Sequence, residues 1–476
     1  MEKVQIRSKK LNAALFQFVF PFSTKPDSQK AFKLQLGEDG YRPFRLSDMD
    51  QQDLYYGEKY RVSHRTMERY YLPFTANVLF PHEEDAESFQ RYSKSLDLHC
   101  LLKTKFVNIP FRILSADVIL CPFDLGFITV RTEMTDSSVD FTEALEFANR
   151  FRVLQDIDEQ DDMTFVVHED KEYEEVEEFI FKIVAASILP FLDTSQMEGA
   201  YFETMPFFVD ERMYVQSFYG FEEGEEIHKE DLYRAARIDG MTEKGDPYLS
   251  ASSPDYIEWY CRDHTYNRWA PNTFYVTDEN SFSCLTNLPK DRAVGMANQM
   301  YGEYYYGLLL NLFHKIVLLK LSNRYSQVRV EKNKEEIEDL IGSITMFSAK
   351  YFFLELVTQS QGREIFIRLR DRFGNSELYQ DVKETLNDLF QYMEEFSTRR
   401  SNYLLMILTV YTVISGIYGM NQVIEDLKGK IDWSKLLEYS VFEYIALVVA
   451  FSGIIVSFGL SINVIYKWTR DKWRRG

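Results

Sequence analysis

The chain is 476 residues long and 45% apolar, enough for about two to four domains with a sizeable core. Its formal charge of −20 argues against a nucleic-acid partner and against contact of the bulk of the protein with anionic lipid. The charge is uneven: residues from 399 onward carry ten basic and six acidic side chains, and the remainder carries 44 basic against 68 acidic. Such an acidic body attracts cations, and it also simply keeps a large domain in solution.

The start of the chain, residues 1–10, is polar and basic with no long apolar run after it, so no signal peptide is expected. Residues 11–22 are apolar and end at Pro21-Phe22, which reads as a buried strand. Short β-type runs follow at Val78-Leu79-Phe80, Phe106-Val107, Ile113-Leu114, Val118-Ile119-Leu120 and Phe127 to Val130, punctuated by prolines. Residues 141–154 read as a helix with Phe141, Leu145, Ala148 and Phe151 on one face. An acidic turn is expected at 156–162. A second helix is expected at 172–187, its acidic start favoured by the helix dipole. Residues 207–218 return to strand-like alternation. This mixed order predicts an α+β or α/β body.

Residues 220–292 read as polar and irregular, with an aromatic cluster of Tyr256, Trp259, Tyr260, Tyr266 and Trp269. Core packing explains such a cluster, but Trp259, Arg262, His264 and Arg268 also form a candidate ligand-binding set. Their chemistry suits stacking of a base and pairing of a phosphate. No phosphate loop, no dinucleotide turn, no zinc-protease motif and no nucleophile with its base is present, so the chain is not expected to be an enzyme or to hold a covalent cofactor. Cys100, Cys121, Cys261 and Cys284 are scattered and read as reduced thiols.

Residues 298–325 are apolar but interrupted by His314, Lys315 and Lys320, which predicts an amphipathic helix packed in protein. A long helix is expected over 332–361, with a seam of Ile337, Leu340, Ile344, Phe347, Tyr351 and Leu354. Residues 376–420 contain no Pro, and no Gly before Gly416. Leu378, Val382, Leu386, Leu389, Met393 and Phe396 carry a similar seam along them.

Residues 403–420 and 444–466 contain no charged side chain, and each is long enough to cross the roughly 30 Å apolar core of a bilayer. Arg399 and Arg400 precede the first. Lys467, Arg470, Lys472, Arg474 and Arg475 follow the second, with Trp468 and Trp473 among them. That basic excess places both termini in the cytoplasm and the short linker outside. The expected organisation is a cytosolic domain at 1–292, a helical stalk at 293–400 and a membrane pore domain at 401–476, with spans near 402–421 and 441–466.

The first apolar segment closes on Tyr418-Gly419-Met420-Asn421, about 55 residues from the C-terminus. Two C-terminal spans, a Gly-Met-Asn signature, a short outer loop and a basic tail resemble the CorA divalent-cation channels, over residues 376–476. The resemblance implies a homopentamer in the cell membrane. It also implies that Asn421 forms an outer ring that holds Mg²⁺ or a similar ion through its hydrating water. Tyr418, Gly419 and Met420 would shape that mouth, and Thr412 and Gly416 would line the pore. Helical spacing back from Asn421 also reaches Thr409, Leu405, then Asn402 or Ser401, and Thr398. Leu405 is a candidate apolar constriction, and the threonines otherwise serve only to bond back onto their own helix. The chain departs from the family in lacking a proline in mid-span, where Val410 and Tyr411 stand, and in lacking an acidic outer loop.

Three readings follow. One is a divalent-cation channel regulated by its cytosolic domain, through carboxylate clusters such as Asp156, Asp158, Asp161 and Asp162, or Glu174, Glu175, Glu177 and Glu178. The second is a ligand-gated effector of a prokaryotic defence system, such as a type III CRISPR-associated CorA. A nucleotide messenger, for example a molecule of S-adenosylmethionine–AMP type, would open it. The third is a non-conducting membrane scaffold.

Overall fold

In the computed structural model the described residues are 6–7, 9–81, 87–135, 140–154, 164–193, 212–327, 334–353, 355–421 and, with gaps, 430–462. They fall into two compact units, residues 1–382 and 383–476.

In chain order the elements of the first unit are β1 (Leu11–Ser23), α1 (Gln29–Glu38), β2 (Arg42–Pro43), α2 (Gln51–Leu54), α3 (His64–Tyr70), α4 (Pro73–Leu79), β3 (Gln90–Lys103), β4 (Asn108–Cys121) and β5 (Leu125–Met134). Then come α5 (Phe141–Phe151), β6 (Phe165–His168), β7 (Lys171–Tyr173), α6 (Val176–Phe179), β8 (Tyr214–Phe221), α7 (Lys229–Arg237), α8 (Pro254–His264), β9 (Thr265–Tyr266), β10 (Thr273–Thr277) and β11 (Ser281–Thr286). Four helices follow: α9 (Lys290–Tyr301), α10 (Glu303–Gln327), α11 (Lys334–Lys350) and α12 (Ser360–Arg372). Last is α13 (Asn375–Asn421), which starts in the first unit and continues into the second.

The strands form one sheet in the order β7-β6-β3-β4-β5-β1-β8-β11-β10-β9, with β2 added beside β3. Neighbouring pairs are antiparallel except β8 and β11. The N-terminal part is thus α+β and the C-terminal part helical.

Alternation along β1 sorts its two faces. Phe16, Phe18, Phe20 and Phe22 point to one side and are fully buried. There Phe16 meets Phe147 of α5 at 5.2 Å between ring centroids, and Phe18 meets Phe151 at 4.7 Å. A capping box of Asp140 and Glu143 fixes the start of α5. Gln17 points to the opposite side, where its Nε2 donates to the carbonyl of Met300 on α9 at 3.1 Å. Tyr305 on α10 is hydrogen-bonded to Thr129 on β5 at 2.7 Å. The sheet is therefore covered on both faces, and α9 to α12 belong to the same compact unit as the sheet, which runs on past residue 292 to Val382.

Several local expectations are corrected by this packing. Val78 and Leu79 lie in α4, a helix opened by Pro73 at its first position. Phe106 and Val107 form a turn, in which both amides donate to Oγ1 of Thr104. The helix expected over 172–187 is split into β7, α6, a π turn at Ile180–Val184 and a 3₁₀ turn at Ala186–Phe191 that contains Pro190. The stretch 220–292 is ordered, holding α7, α8 and three strands. The run 298–325 is two helices, parted at Gly302, where an added Cβ would meet Val62 at 2.9 Å. Its second part, α10, is buried all round over its first half rather than amphipathic: Leu308, Leu309, Leu310, Phe313 and Leu318 are all inaccessible, and exposure begins only near its end, at Ser322 and Asn323.

The helix expected over 332–361 stops at Lys350. Beyond it the chain extends to pair with residues 70–72: the amide of Leu72 donates to Leu356 and that of Thr358 to Tyr70, at 3.0 and 2.9 Å. Long-range pairing wins there over helical periodicity. The stalk helix matches its expectation closely, 375–421 against 376–420. Its 47 residues make about 70 Å of continuous helix. The acidic stretch 156–162 and residues 207–211 lie outside the described residues.

Candidate functional site

The C-terminal half of α13 divides into three faces, about a third of a turn apart at helical spacing. Tyr403, Met406, Val410 and Val413 are half-buried. Leu404, Ile407, Leu408, Tyr411 and Ile414 are apolar and 46–69% exposed. Leu405, Thr409, Thr412 and Gly416 make a third stripe, also exposed, narrow at Gly416 where nothing lies within 4 Å of an added Cβ. Asn402 is exposed about a turn before it. The backbone of Tyr418, Gly419, Met420 and Asn421 forms the last turn of the helix. The side chains of Ser415 and of residues 417–421 are outside the described set.

Oγ1 of Thr409 donates to the carbonyl of Leu405, and that of Thr412 to Leu408, each at 2.7 Å. Both hydroxyl protons are therefore spent on the helix. What the threonines present outward is oxygen lone pairs. That is the group a hydrated cation needs, because the waters of its shell point hydrogens outward. Back-bonding and pore lining are thus compatible at these two positions.

Helical residues described between 441 and 462 add a second run of exposed apolar side chains: Phe442, Ile445, Val448, Phe451, Ile455, Phe458 and Ile462 are 54–83% accessible. Among the described residues no helix is long and apolar enough to cross a membrane. The expected spans 402–421 and 441–466 both run into residues whose side chains are outside that set.

The four candidate ligand residues of the body sit in different surroundings. His264 is buried and neutral: burial first, then Arg372, lower its pKa. Its ring stacks on Tyr260 at 3.7 Å. Its Nδ1 donates to the Tyr260 carbonyl at 3.0 Å, which leaves Nε2 to accept from Arg372 at 3.2 Å. Both ring nitrogens are used. Arg268 is exposed and pairs with Glu364 and Ser360 of α12, each at 3.1 Å. Trp259 and Arg262 lie on the outer face of α8, with Tyr256 5.6 Å from Trp259. The four residues therefore split between an α8–α12 contact and an exposed surface. Of the acidic clusters, Glu178 is paired with Lys182, and Asp156, Asp158, Asp161 and Asp162 are outside the described residues. No group of three or more His, Cys, Asp or Glu poised for a metal occurs among the described residues. The four cysteines are free and buried, and burial pushes the Cys261 thiol up to about 11.

A polar layer that the sequence reading missed lies on the α10 side of the sheet. Oδ2 of Asp117 on β4 accepts from Nη2 of Arg131 on β5 at 2.6 Å and lies 3.0 Å from Nε of Arg91 on β3. All three are buried. Arg91 also donates to the hydroxyls of Tyr306 at 2.7 Å and Tyr56 at 3.2 Å, and rests 4.0 Å above the ring of Phe44. The two guanidiniums hold the Asp117 carboxyl below its usual range despite burial. The available signal was charge at alternate positions, Asp117 and Arg131 standing inward between apolar neighbours of long strands.

No family model, no curated protein and no solved structure matches this chain.

Proposed function

We propose that this chain is the subunit of a homopentameric CorA-type channel, in which α13 lines a pore for Mg²⁺ or a similar divalent cation. The α+β body stands in the cytoplasm and regulates it. The observation that carries this reading is the three-faced end of α13. One face is half-covered within the unit. One is wholly apolar, suited to lipid. The third joins a leucine, two lone-pair-bearing threonines and a glycine in a line that leads to the Gly-Met-Asn terminus. Apolar side chains exposed on this scale mark a membrane or partner surface. Burying each is worth about 1.5–3 kcal/mol.

Five copies of the stripe, facing one axis, give a constriction at Leu405 and hydroxyl oxygens above it. Asn421 closes the outer mouth with an amide ring suited to an ion that keeps its waters. The test is the mass of the detergent-solubilised protein. Five subunits agree with the proposal, and a monomer or dimer contradicts it.

A second reading has its own support, that of an effector opened by a nucleotide ligand. The helix carrying the stripe begins inside the body, where Nδ2 of buried Asn375 donates to the carbonyl of Asn311 at 3.0 Å. Tyr379 stacks on Phe352 at 3.8 Å a turn later. The helix then continues unbroken to Asn421. A ligand favouring the open state of the body has a covalent route to the pore, and a hundredfold preference is worth about 2.7 kcal/mol per site. Flux recorded across a nucleotide panel separates this effector from a channel closed by Mg²⁺ alone.

A further inference from the structure

The end of α8 meets the end of α12 through a histidine whose two partners fix its state. The carbonyl of Tyr260 can only accept, so Nδ1 of His264 carries the ring proton. The guanidinium of Arg372 can only donate, so Nε2 stays bare. A single tautomer of the neutral imidazole satisfies both. The imidazolium does not: its second N–H would face Nη1 of Arg372 from 3.2 Å, donor against donor and cation against cation.

The other groups around the ring offer that proton a different partner. Oδ1 of Asp278, in the turn between β10 and β11, lies 4.0 Å from Nε2. It accepts from the Tyr260 hydroxyl at 2.7 Å, and Arg237 donates to Oδ2 at 3.1 Å. On α8, Oδ2 of Asp263 lies 3.5 Å from Nδ1 and 2.7 Å from Nη2 of Arg372. A protonated ring is therefore held by carboxylates of α8 and of the β10–β11 turn, and repelled by α12. The bond it gives up is at Arg372, the last residue of α12. The next helix, α13, starts at Asn375, with Gly374 in a left-handed turn between them at φ +64°.

We propose that His264 is a proton-sensitive latch: neutral, it ties the end of α12 and the start of α13 to α8, and protonated, it exchanges Arg372 for Asp278 and lets that end loosen. The trigger is acid. Burial, then Arg372, lower the proton affinity of His264 in the folded body. A group of that kind contributes its full stability above its ordinary pKa of 6.5 and loses it as pH falls below. Glu303 lines a small cavity with Gly362 and Ile365 of α12. Its raised pKa has the opposite sign, strengthening the fold as pH drops. The latch belongs to the body and works whether or not the chain conducts ions.

The test is hydrogen exchange of the full-length protein in detergent, read by mass spectrometry and corrected for the pH dependence of chemical exchange. From about pH 7.5 to about pH 5.5, protection of residues 368–378 falls about fivefold or more, the scale of one lost hydrogen bond to a charged group. Protection of α5 changes less than about twofold. His264→Gln offers an oxygen to Arg372 and an amide to Tyr260 but cannot titrate, so its segment stays protected at both pH values. Arg372→Gln keeps a donor for Nε2 without the like charge, and it loses at least about half of the fall. A parent whose segment keeps its protection overturns the latch. So does a fall shared equally by α5, or one that either variant retains in full.

Discussion

Asp117 is paired with two guanidiniums at once, so its removal strands both. Breaking a buried pair by deleting one partner costs about 3–5 kcal/mol, because the remaining charge loses its match. Asp117→Asn should lower the stability of the body by that amount in chemical denaturation, and a loss below about 1 kcal/mol would contradict the central place given to this layer. Glu303 makes the opposite case, a buried carboxyl with no ion-pair partner among the described residues. It opens α10 beside Tyr70, Tyr71 and Tyr304, and burial raises its pKa to about 7. A group that holds its proton more tightly when folded contributes stability below its unfolded pKa near 4.5 and loses it as pH climbs to about 7. The difference amounts to about 3 kcal/mol. Glu303→Gln should flatten the fall of melting temperature between pH 5 and 7, and an unchanged slope would place the titration elsewhere. At this scale the sequence was partly legible. The Gly-Met-Asn tripeptide stood out by its place at the end of an apolar run. His264 did not reveal that both its nitrogens are taken, since Arg372 reaches it from more than a hundred residues away.

Among the elements, α13 was readable because a single period runs through it with no breaker before Gly416, and 375–421 is close to its expected span. The region 220–292 was not, since α7 and α8 are short and polar outside and gain their stability from the sheet beneath. The helix expected across 351–359 failed for a related reason: periodicity cannot see that residues 356–358 have a strand-like partner at 70–72. Within α13, Leu405 is the only large apolar side chain of the hydroxyl stripe. Leu405→Asn should wet the constriction and give a leak current that the parent lacks. A variant as tightly closed as the parent would remove Leu405 from the gate. Thr409→Val and Thr412→Val take away the outward lone pairs while leaving the helix intact. Each should lower cation flux several-fold without changing subunit number.

For the whole molecule, the uneven charge of the sequence acquires a physical meaning. The acidic body offers cations a favourable field, and the exposed apolar side chains gather in the second unit, which also holds the small basic excess of residues 399–476. Composition marks out the two uncharged apolar segments, residues 403–420 and 444–466. It could not disclose the eleven-stranded sheet, whose order depends on pairings such as β1 with β8 across nearly two hundred residues. The measurement that bears most directly on the account is Mg²⁺ entry into liposomes containing the purified protein, beside the variant Asn421→Ala. The account predicts flux through the parent, with any gating ligand supplied, and loss of selective flux in the variant while the oligomer stays intact. Flux and selectivity that survive Asn421→Ala unchanged, or a parent that passes no cation under any of these conditions, would contradict it.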